Sequence, residues 1–157
     1  MAKRKSHRKA RCPVARPLDA IGDRWSLLIV RDAFEGMKRF GEFQESLGVA
    51  KNILSNRLKK LVEHGVLDAL SATDGRPRHE YVLTAKGRGL FPLLVALRQL
   101  GEDFFFNPGE RLVLLVDKRS GHPVRRVVVH SHGGQIVGHE ETLVIAAPSA
   151  KCSERTR

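Results

Sequence analysis

Cysteine, aromatic residues and long apolar runs are scarce in this chain of 157 residues. Its two cysteines, Cys12 and Cys152, are too few for a disulfide scaffold and lie near opposite ends of the chain. No apolar run approaches the roughly 18 residues that a membrane-spanning helix needs, and the basic N-terminal stretch lacks the apolar segment of a signal peptide. We therefore expect a cytoplasmic protein without a membrane partner.

Sequence features of catalytic and metal sites are also missing. The chain has no Gly-rich phosphate loop, no nucleophile elbow and no CxxC pair. Asp19, Asp32 and Glu35 fall on a predicted helix, where we interpret them as ordinary surface charges. The histidines of the C-terminal stretch follow no strong zinc spacing; they are His122, His130, His132 and His139. The sequence thus predicts no enzyme, no cofactor and no bound metal.

Positive charge is in excess: 28 Lys and Arg against 17 Asp and Glu give a formal net charge of +11. Such a balance implies a polyanionic partner, with nucleic acid ahead of an anionic membrane surface. Residues 1–11 contain six Lys or Arg and no acid. We expect a flexible basic arm that contacts phosphates without sequence preference, although a merely solvated tail would have the same composition.

The most specific pattern runs from Arg39 to His79. Phe40, Phe43 and Leu47 predict a short amphipathic helix, and Gly48 supplies a turn. A second helix follows, in which Leu58 and Leu61 fall within about 40° of Leu54 on a helical wheel, so that the three form one apolar stripe. Polar and basic residues occupy the rest of its surface, which is the pattern of a helix-turn-helix.

The polar face of the second helix has the residue types that DNA requires. Asn can bond adenine bidentately, and Lys neutralises phosphate. Because such helices insert N-terminus first, Asn52, Ser55 and Asn56 are the expected base contacts. Any surface helix, however, shows polar residues opposite its apolar stripe. The predicted DNA-binding residues in and before this helix are Lys38, Arg39, Lys51, Asn52, Ser55, Asn56, Arg57, Lys59 and Lys60.

A two-stranded ribbon is predicted after the second helix. Gly65 ends the helix, residues 66–72 and 79–84 have strand character, and Asp74 with Gly75 indicates a turn between them. Arg76 and Arg78 flank a proline at the tip, where they could probe the minor groove or the phosphates. Helix, turn, helix and ribbon, in this order, predict a winged helix-turn-helix.

Helices are also predicted on both sides of this motif. Leu18, Ile21, Trp25 and Leu28 recur at helical spacing from Pro17, and Gly36 ends that helix. After Thr84, a suitable N-cap, an apolar seam about two heptads long predicts a dimerisation helix, with a kink at Pro92. A core helix of the same chain would show the same seam. The predicted interface residues are Leu90, Leu93, Leu97, Leu100 and Phe104.

Composition changes after Phe106, and four segments then have strand character: residues 111–116, 124–129, 135–137 and 142–145. The predicted fold class is α+β, mainly α. We divide the chain into a basic arm (1–11), a winged helix-turn-helix and dimerisation domain (12–106), a small β-rich extension (107–150) and a tail (151–157).

Several separate motifs in this order resemble the HxlR-type winged-helix transcriptional regulators, relatives of the MarR group. The resemblance runs from Cys12 to about Gly101. The motifs are Cys12-Pro13-Val14, Gly22-x-x-Trp25, Arg39-Phe40-x-x-Phe43, Leu54-Ser55-x-Arg57-Leu58 and Tyr81-x-Leu83-Thr84-x-x-Gly87.

That resemblance implies a homodimer on a pseudo-palindromic operator in double-stranded DNA. We expect a repressor, although no sequence pattern distinguishes repression from activation. Residues 51–64 would occupy the major groove, and the ribbon tip would contact the backbone or minor groove. In some members the cysteine matching Cys12 senses redox state or electrophiles. Basic neighbours of Cys12 favour its thiolate, but an inert thiol is equally compatible with the sequence, so the effector, whether a small molecule or a redox signal, stays unknown.

Two other classes of function compete with this one. An enzyme or ligand-binding module in the C-terminal extension could be tethered to DNA by the basic domain. A protein that coats nucleic acid without sequence preference would also need the positive charge. The few aromatic residues lie at core spacing rather than on a stacking platform, which argues against single-strand coating.

Overall fold

Helices dominate the computed structural model, which describes residues 6–71, 79–111 and 113–145. The chain forms two compact units, Met1–Leu112 and Val113–Arg157. The first unit contains the helices α1 (Ala15–Ile21), α2 (Ser26–Phe34), α3 (Phe40–Leu47), α4 (Lys51–Glu63), α5 (Ala85–Arg88) and α6 (Phe91–Phe104), and the strands β1 (Leu67–Ser71) and β2 (His79–Leu83).

The helix predicted from Pro17 to Gly36 is wrong as a single element, because the chain breaks between α1 and α2. Asp23 causes the break: its carboxylate accepts hydrogen bonds from the Trp25 and Ser26 amides at 3.0 and 3.1 Å and from Ser26 Oγ at 2.6 Å. An aspartate that bonds amide groups at a helix start acts as an N-terminal cap. The second helix therefore begins anew after Gly22.

The helix-turn-helix is confirmed. Helices α3 and α4 begin and end within one residue of the predicted positions. Gly48, between them, adopts a left-handed φ of 59°, a conformation that favours glycine. At the start of α3, Glu42 accepts hydrogen bonds from the Lys38 and Arg39 amides at 2.7 and 2.9 Å. Both ends of the short helix are thus fixed by local bonds.

The ribbon is an antiparallel pair in which Leu67 faces Leu83 and Ser71 faces His79. A third segment joins it, since the Tyr81 amide donates to Lys38 O at 2.8 Å and Arg39 forms an isolated bridge with Glu80. The residues before α3 therefore pair with β2. The predicted turn at Asp74 and Gly75 lies outside the described residues.

The core of the first unit forms where the apolar faces of α2, α3 and α4 meet the start of β1. Leu54, Leu58 and Leu61 are fully buried, as their spacing predicted. Trp25 is half-buried against them, also as predicted. The other buried apolar residues are Ile21, Ile29, Val30, Phe43, Val49, Val66, Leu67 and Val95.

Asp32 corrects the interpretation of the acids on this helix as surface charges. It is fully buried and pairs with Arg31, whose Nη2 lies 2.6 Å from Asp32 Oδ1. The backbone carbonyl of Asp32 also accepts a hydrogen bond from the Met37 amide at the end of α2. A charge can be buried at modest cost when a partner and hydrogen bonds accompany it.

The motif Thr84-x-x-Gly87 joins the ribbon to the last helices. Thr84 Oγ1 accepts the Gly87 amide at 3.0 Å, so Thr84 is the N-cap that the sequence predicted, although of the short α5. The same hydroxyl lies 2.7 Å from Gly65 O, to which it donates. Gly87 is buried, and a Cβ there would lie 2.2 Å from Val66 O. Only glycine allows this close approach.

The predicted dimerisation helix begins later than expected, at Phe91. Pro92 occupies the first turn of α6, where a missing amide donor has no cost, so the predicted kink is wrong. Leu90 precedes the helix and packs with Leu94 against the core, which corrects its assignment to the outer seam. Phe91 contacts Phe34 with ring centroids 5.2 Å apart.

The four predicted strands of the extension are wrong as regular elements. The described residues of the second unit contain isolated bridges between Val116 and Pro123 and between His130 and Ile136, and a 3₁₀ turn at His139–Glu141. Beside the first bridge, the Val124 amide donates to Leu115 O at 3.0 Å and the Asp117 amide to His122 O at 2.8 Å. None of the described side chains in this unit is fully buried.

The basic arm is more ordered than predicted over its described part, residues 6–11. Ser6 Oγ and the His7 amide both donate to Asp19 Oδ2 at 2.7 Å, and Arg16 Nε donates to Ala10 O at 2.5 Å. The bonds from the His7 amide and Ser6 Oγ lower the pKa of Asp19, with the His7 amide contributing most. The arm is therefore attached to α1.

We predict that Gly87→Ala lowers the free energy of unfolding by about 1–3 kcal/mol, because the added methyl group must displace the Val66 carbonyl. Thr84→Ala should cost about 1 kcal/mol through loss of the cap, and Thr84→Ser much less. Urea titration monitored by Trp25 fluorescence measures each change. Gly41→Ala is the matched control: an added Cβ meets nothing within 4 Å there. If it destabilised the protein as much as Gly87→Ala, the close-approach explanation would be wrong.

Candidate nucleic-acid interface

Helix α4 presents a mainly polar surface, interrupted by Ile53, on the side away from its buried leucines. Six predicted DNA-binding residues on it are exposed, and they include both asparagines. Amide, hydroxyl and ammonium groups can thus reach a ligand together. The six are Lys51, Asn52, Ser55, Asn56, Lys59 and Lys60.

Arg57 does not belong to this surface. Its guanidinium is half-buried, and Nη1 lies 3.3 Å from Asp23 Oδ2. Asp23 is the same residue that caps α2, so one carboxylate links α2 to α4. Sequence reasoning missed Asp23, although an acidic residue three positions before Ser26 is a usual capping signal. The structure makes Arg57 a positioning residue within the protein.

The N-terminus of α4 can accept an anion. Its N-cap is Ala50, which provides no side-chain hydrogen bond. The first amide groups of a helix that lacks a side-chain cap carry partial positive charge and can bond a phosphate oxygen. Lys51 and Asn52, both exposed, lie in this first turn. The N-terminus of α4 and the two side chains of its first turn therefore both favour a phosphate.

Lys38 and Arg39 lie before α3, and both are exposed. Arg39 Nη2 is 3.5 Å from Glu80 Oε1, an ion pair across the bridge to β2. The backbone amides of Lys38 and Arg39 lower the pKa of Glu42. Because that pKa is depressed, the stabilising contribution of Glu42 is present at neutral pH and is lost as the pH falls through the folded-state value.

The predicted interface also includes the ribbon tip and the far end of α4. Arg76 and Arg78 of the ribbon tip lie outside the described residues. Lys59 Nζ lies 3.9 Å from Glu63 Oε1, so the acid near the end of α4 pairs with a lysine one turn earlier. An exposed pair of this kind is worth little and leaves the lysine available to phosphate.

Helix α6 has two different faces. On one face of α6, Val95 and Gln99 are buried within the first unit. On the other side Leu93, Leu97 and Leu100 are each nearly half exposed, and Phe104 is 75% exposed. The structure thus brings four of the five predicted interface residues to one apolar surface. We call these four residues the α6 seam.

Cys12, the predicted redox residue, is an exposed free thiol at the start of α1. Cys152 lies outside the described residues. Within the described ranges, no cluster of His, Cys, Asp and Glu has the geometry of a metal site. No helix in the same ranges is long and apolar enough to span a bilayer.

Comparison with known proteins confirms the resemblance. A family model described as HxlR-like helix-turn-helix matches residues 20–108. An uncharacterized HTH-type transcriptional regulator of Mycobacterium bovis, Mb3122, is 38% identical over 130 residues, which are 83% of this chain and 82% of that protein. The match to Mb3122 therefore extends well beyond the helix-turn-helix.

Solved structures agree. PA1607, described as a candidate transcription factor, has 60% identity and a TM-score of 0.88 over 91% of this chain and all of that chain. The redox regulator HypR in its reduced form has 30% identity and a TM-score of 0.54 over 59% of this chain and 92% of its own. The family model spans more than half of the chain, and Mb3122 matches most of both proteins. On both grounds the chain belongs to the HxlR-like helix-turn-helix family of transcriptional regulators.

Proposed function

We propose that this chain is a sequence-specific repressor in the cytoplasm that binds a pseudo-palindromic operator as a homodimer. One observation carries the proposal: the exposed face of α4 combines Asn52, Ser55 and Asn56 with lysines, while its opposite face is buried in the core. Base edges are recognised by amides and hydroxyls, and phosphates by lysines. A helix whose polar face contacted only water would not require amides, a hydroxyl and lysines together beside an N-terminus that lacks a side-chain cap.

The proposed contacts divide into two classes. Asn52, Ser55 and Asn56 lie toward the inserted end of α4 and contact base edges. Lys38, Arg39 and the lysines of α4 contact phosphates. Arg76 and Arg78 remain proposed contacts of the ribbon tip. Arg57 is left out, because its ion pair with Asp23 occupies it.

The α6 seam is the proposed dimer interface. Four apolar side chains at a spacing of three and four residues present a strip to solvent along α6. Covering the exposed half of each would contribute about 1 kcal/mol per side chain. Across two protomers this is comparable with the lower estimates of the entropy cost of association. The strip can therefore support a dimer, with the aromatic end of α6 adding to it.

Selection of bound duplexes from random DNA by the full chain tests the function. We expect an inverted repeat with half-sites about one helical turn apart, bound on the order of a thousandfold more tightly than scrambled DNA at physiological salt. Enrichment of no motif, with affinity for every sequence falling steeply with salt, would instead indicate a protein that coats nucleic acid and would overturn the proposal.

Two variants then separate the classes of contact on the selected operator. Asn56→Ala should weaken binding by about 1–3 kcal/mol per half-site and relax selectivity at one base pair of each half-site. Lys51→Gln should weaken binding to all sequences alike and lower the salt dependence by about one counterion per protomer. Equal loss of operator and scrambled binding in Asn56→Ala would remove Asn56 from the base contacts.

Leu97→Glu should convert the protein to a monomer at micromolar concentration, because it places a charge in the middle of the α6 seam. Leu70→Glu is the matched control: Leu70 lies on β1 and is 51% exposed, against 47% for Leu97. Sedimentation equilibrium measures the mass, and circular dichroism shows that each variant is folded. The proposed interface would be wrong if both variants, or neither, lost the dimer.

Cys12 is the proposed redox-sensitive group, on two grounds. Its thiol is exposed and free, and one structural relative, HypR, is named as a redox regulator. We expect that treatment with peroxide or a quinone changes the operator affinity of the wild-type protein and that Cys12→Ser abolishes the change. A full response in Cys12→Ser would exclude this residue as the sensor.

A further inference from the structure

A groove in the first unit shares Lys38 with the proposed DNA contacts and has no residue in common with the α6 seam. It lies where the end of α2 meets β2 and encloses about 180 Å³. Its apolar walls are formed by Ala33, Phe34, Met37, Tyr81, Val82 and Leu83. Drug-sized ligands need pockets of about 300 Å³ or more. The groove therefore fits a molecule the size of one aromatic ring.

Two cations complete the lining, Lys38 and Arg88, and both are exposed side chains at the border of the groove. Arg88 Nη1 donates to Leu83 O at 2.7 Å, which holds the guanidinium beside the groove. The Lys38 backbone is fixed by its bonds to Glu42 and Tyr81. Two positive groups at the border of an apolar groove are complementary to a molecule with an apolar body and an anionic end.

We propose that this groove binds a small apolar carboxylate, with its ring or alkyl chain against Phe34 and Met37 and its carboxylate toward Lys38 and Arg88. The position gives such a ligand a means of regulation. Lys38 is hydrogen-bonded both to the start of α3 and to β2, and Phe34 packs on Phe91 at the start of α6. Regulation of DNA binding by the carboxylate rests on the proposed function, whereas binding of the carboxylate to the groove does not.

Benzoate is the probe, and titration of the ¹⁵N-labelled full chain without DNA is the measurement. We expect saturable shifts of the Ala33, Met37 and Leu83 amide signals with a Kd of about 1 mM or tighter, the range for so small a ligand. Benzyl alcohol, which has the ring without the charge, should bind about tenfold more weakly. Absence of saturation, equal binding of both probes, or shifts confined to the α6 seam would overturn the proposed site.

Variants localise the site further. Arg88→Gln should weaken benzoate binding about tenfold, whereas Arg11→Gln, the same change at an exposed arginine of the arm, should leave it unchanged. Val82→Phe should abolish binding by filling the groove, and a strand position accepts phenylalanine. The amide spectrum of each variant shows whether it is folded. Unchanged benzoate affinity in both folded Arg88→Gln and folded Val82→Phe would also overturn the site.

The regulatory part has its own test on the selected operator. Bound ligand and DNA affect each other reciprocally, typically by about fivefold or more where two sites are coupled. We expect benzoate to change the operator affinity of the wild-type protein and not that of Arg88→Gln. If benzoate occupied the groove with no effect on operator affinity, the regulatory role would be overturned, while the ligand site and the DNA-binding function would both stand.

Discussion

The orientation of α4 depends on one carboxylate. Asp23 caps α2 through two backbone amides and the Ser26 hydroxyl, and it holds Arg57 of α4 at 3.3 Å. Hydrogen bonds to a charged group contribute on the order of 1.5–3 kcal/mol each, with the lower end appropriate to partly exposed groups. The three buried leucines fix which face of α4 points inward, but apolar contacts restrict sliding along the helix axis less strongly. The ion pair between Arg57 and Asp23 restricts that sliding further.

A second constraint joins α3 to the ribbon. The residues before α3 pair with β2 through the Tyr81 amide and the bridge between Arg39 and Glu80. Glu42 fixes the same residues to α3. Because one backbone segment serves both elements, α3 and the ribbon cannot move independently near Lys38. Any ligand that displaces this segment therefore acts on two parts of the DNA-binding surface at once.

The sequence predicted the parts whose signals are local and periodic. The leucine stripe of α4 and the glycine turn before it needed no tertiary information, and the polar face followed from the buried one. Leu90 packs on the core through its partly buried side chain, a contact that spacing along one helix cannot reveal. Asp32 could not be recognised as buried, because burial of a charge depends on a partner, here Arg31, and on the elements packed over it. In the extension, runs of valine suggested strands, but a strand also requires a paired neighbour along its length, and the described residues there show only isolated bridges.

The exposed apolar face of α6 is explained by the limited discrimination between DNA sequences that α4 can provide alone. A bidentate base contact discriminates by about 1–3 kcal/mol, and α4 has two asparagines for such contacts. Specific regulators exceed their nonspecific binding by about 4–10 kcal/mol, a range that one helix reaches only at its lower end. Two-fold symmetry doubles the discrimination without further residues. An apolar strip left exposed on a helix whose other face is buried in the first unit is what such a doubling requires. In the proposed dimer, the α6 seam would therefore determine selectivity as much as the proposed base contacts Asn52 and Asn56.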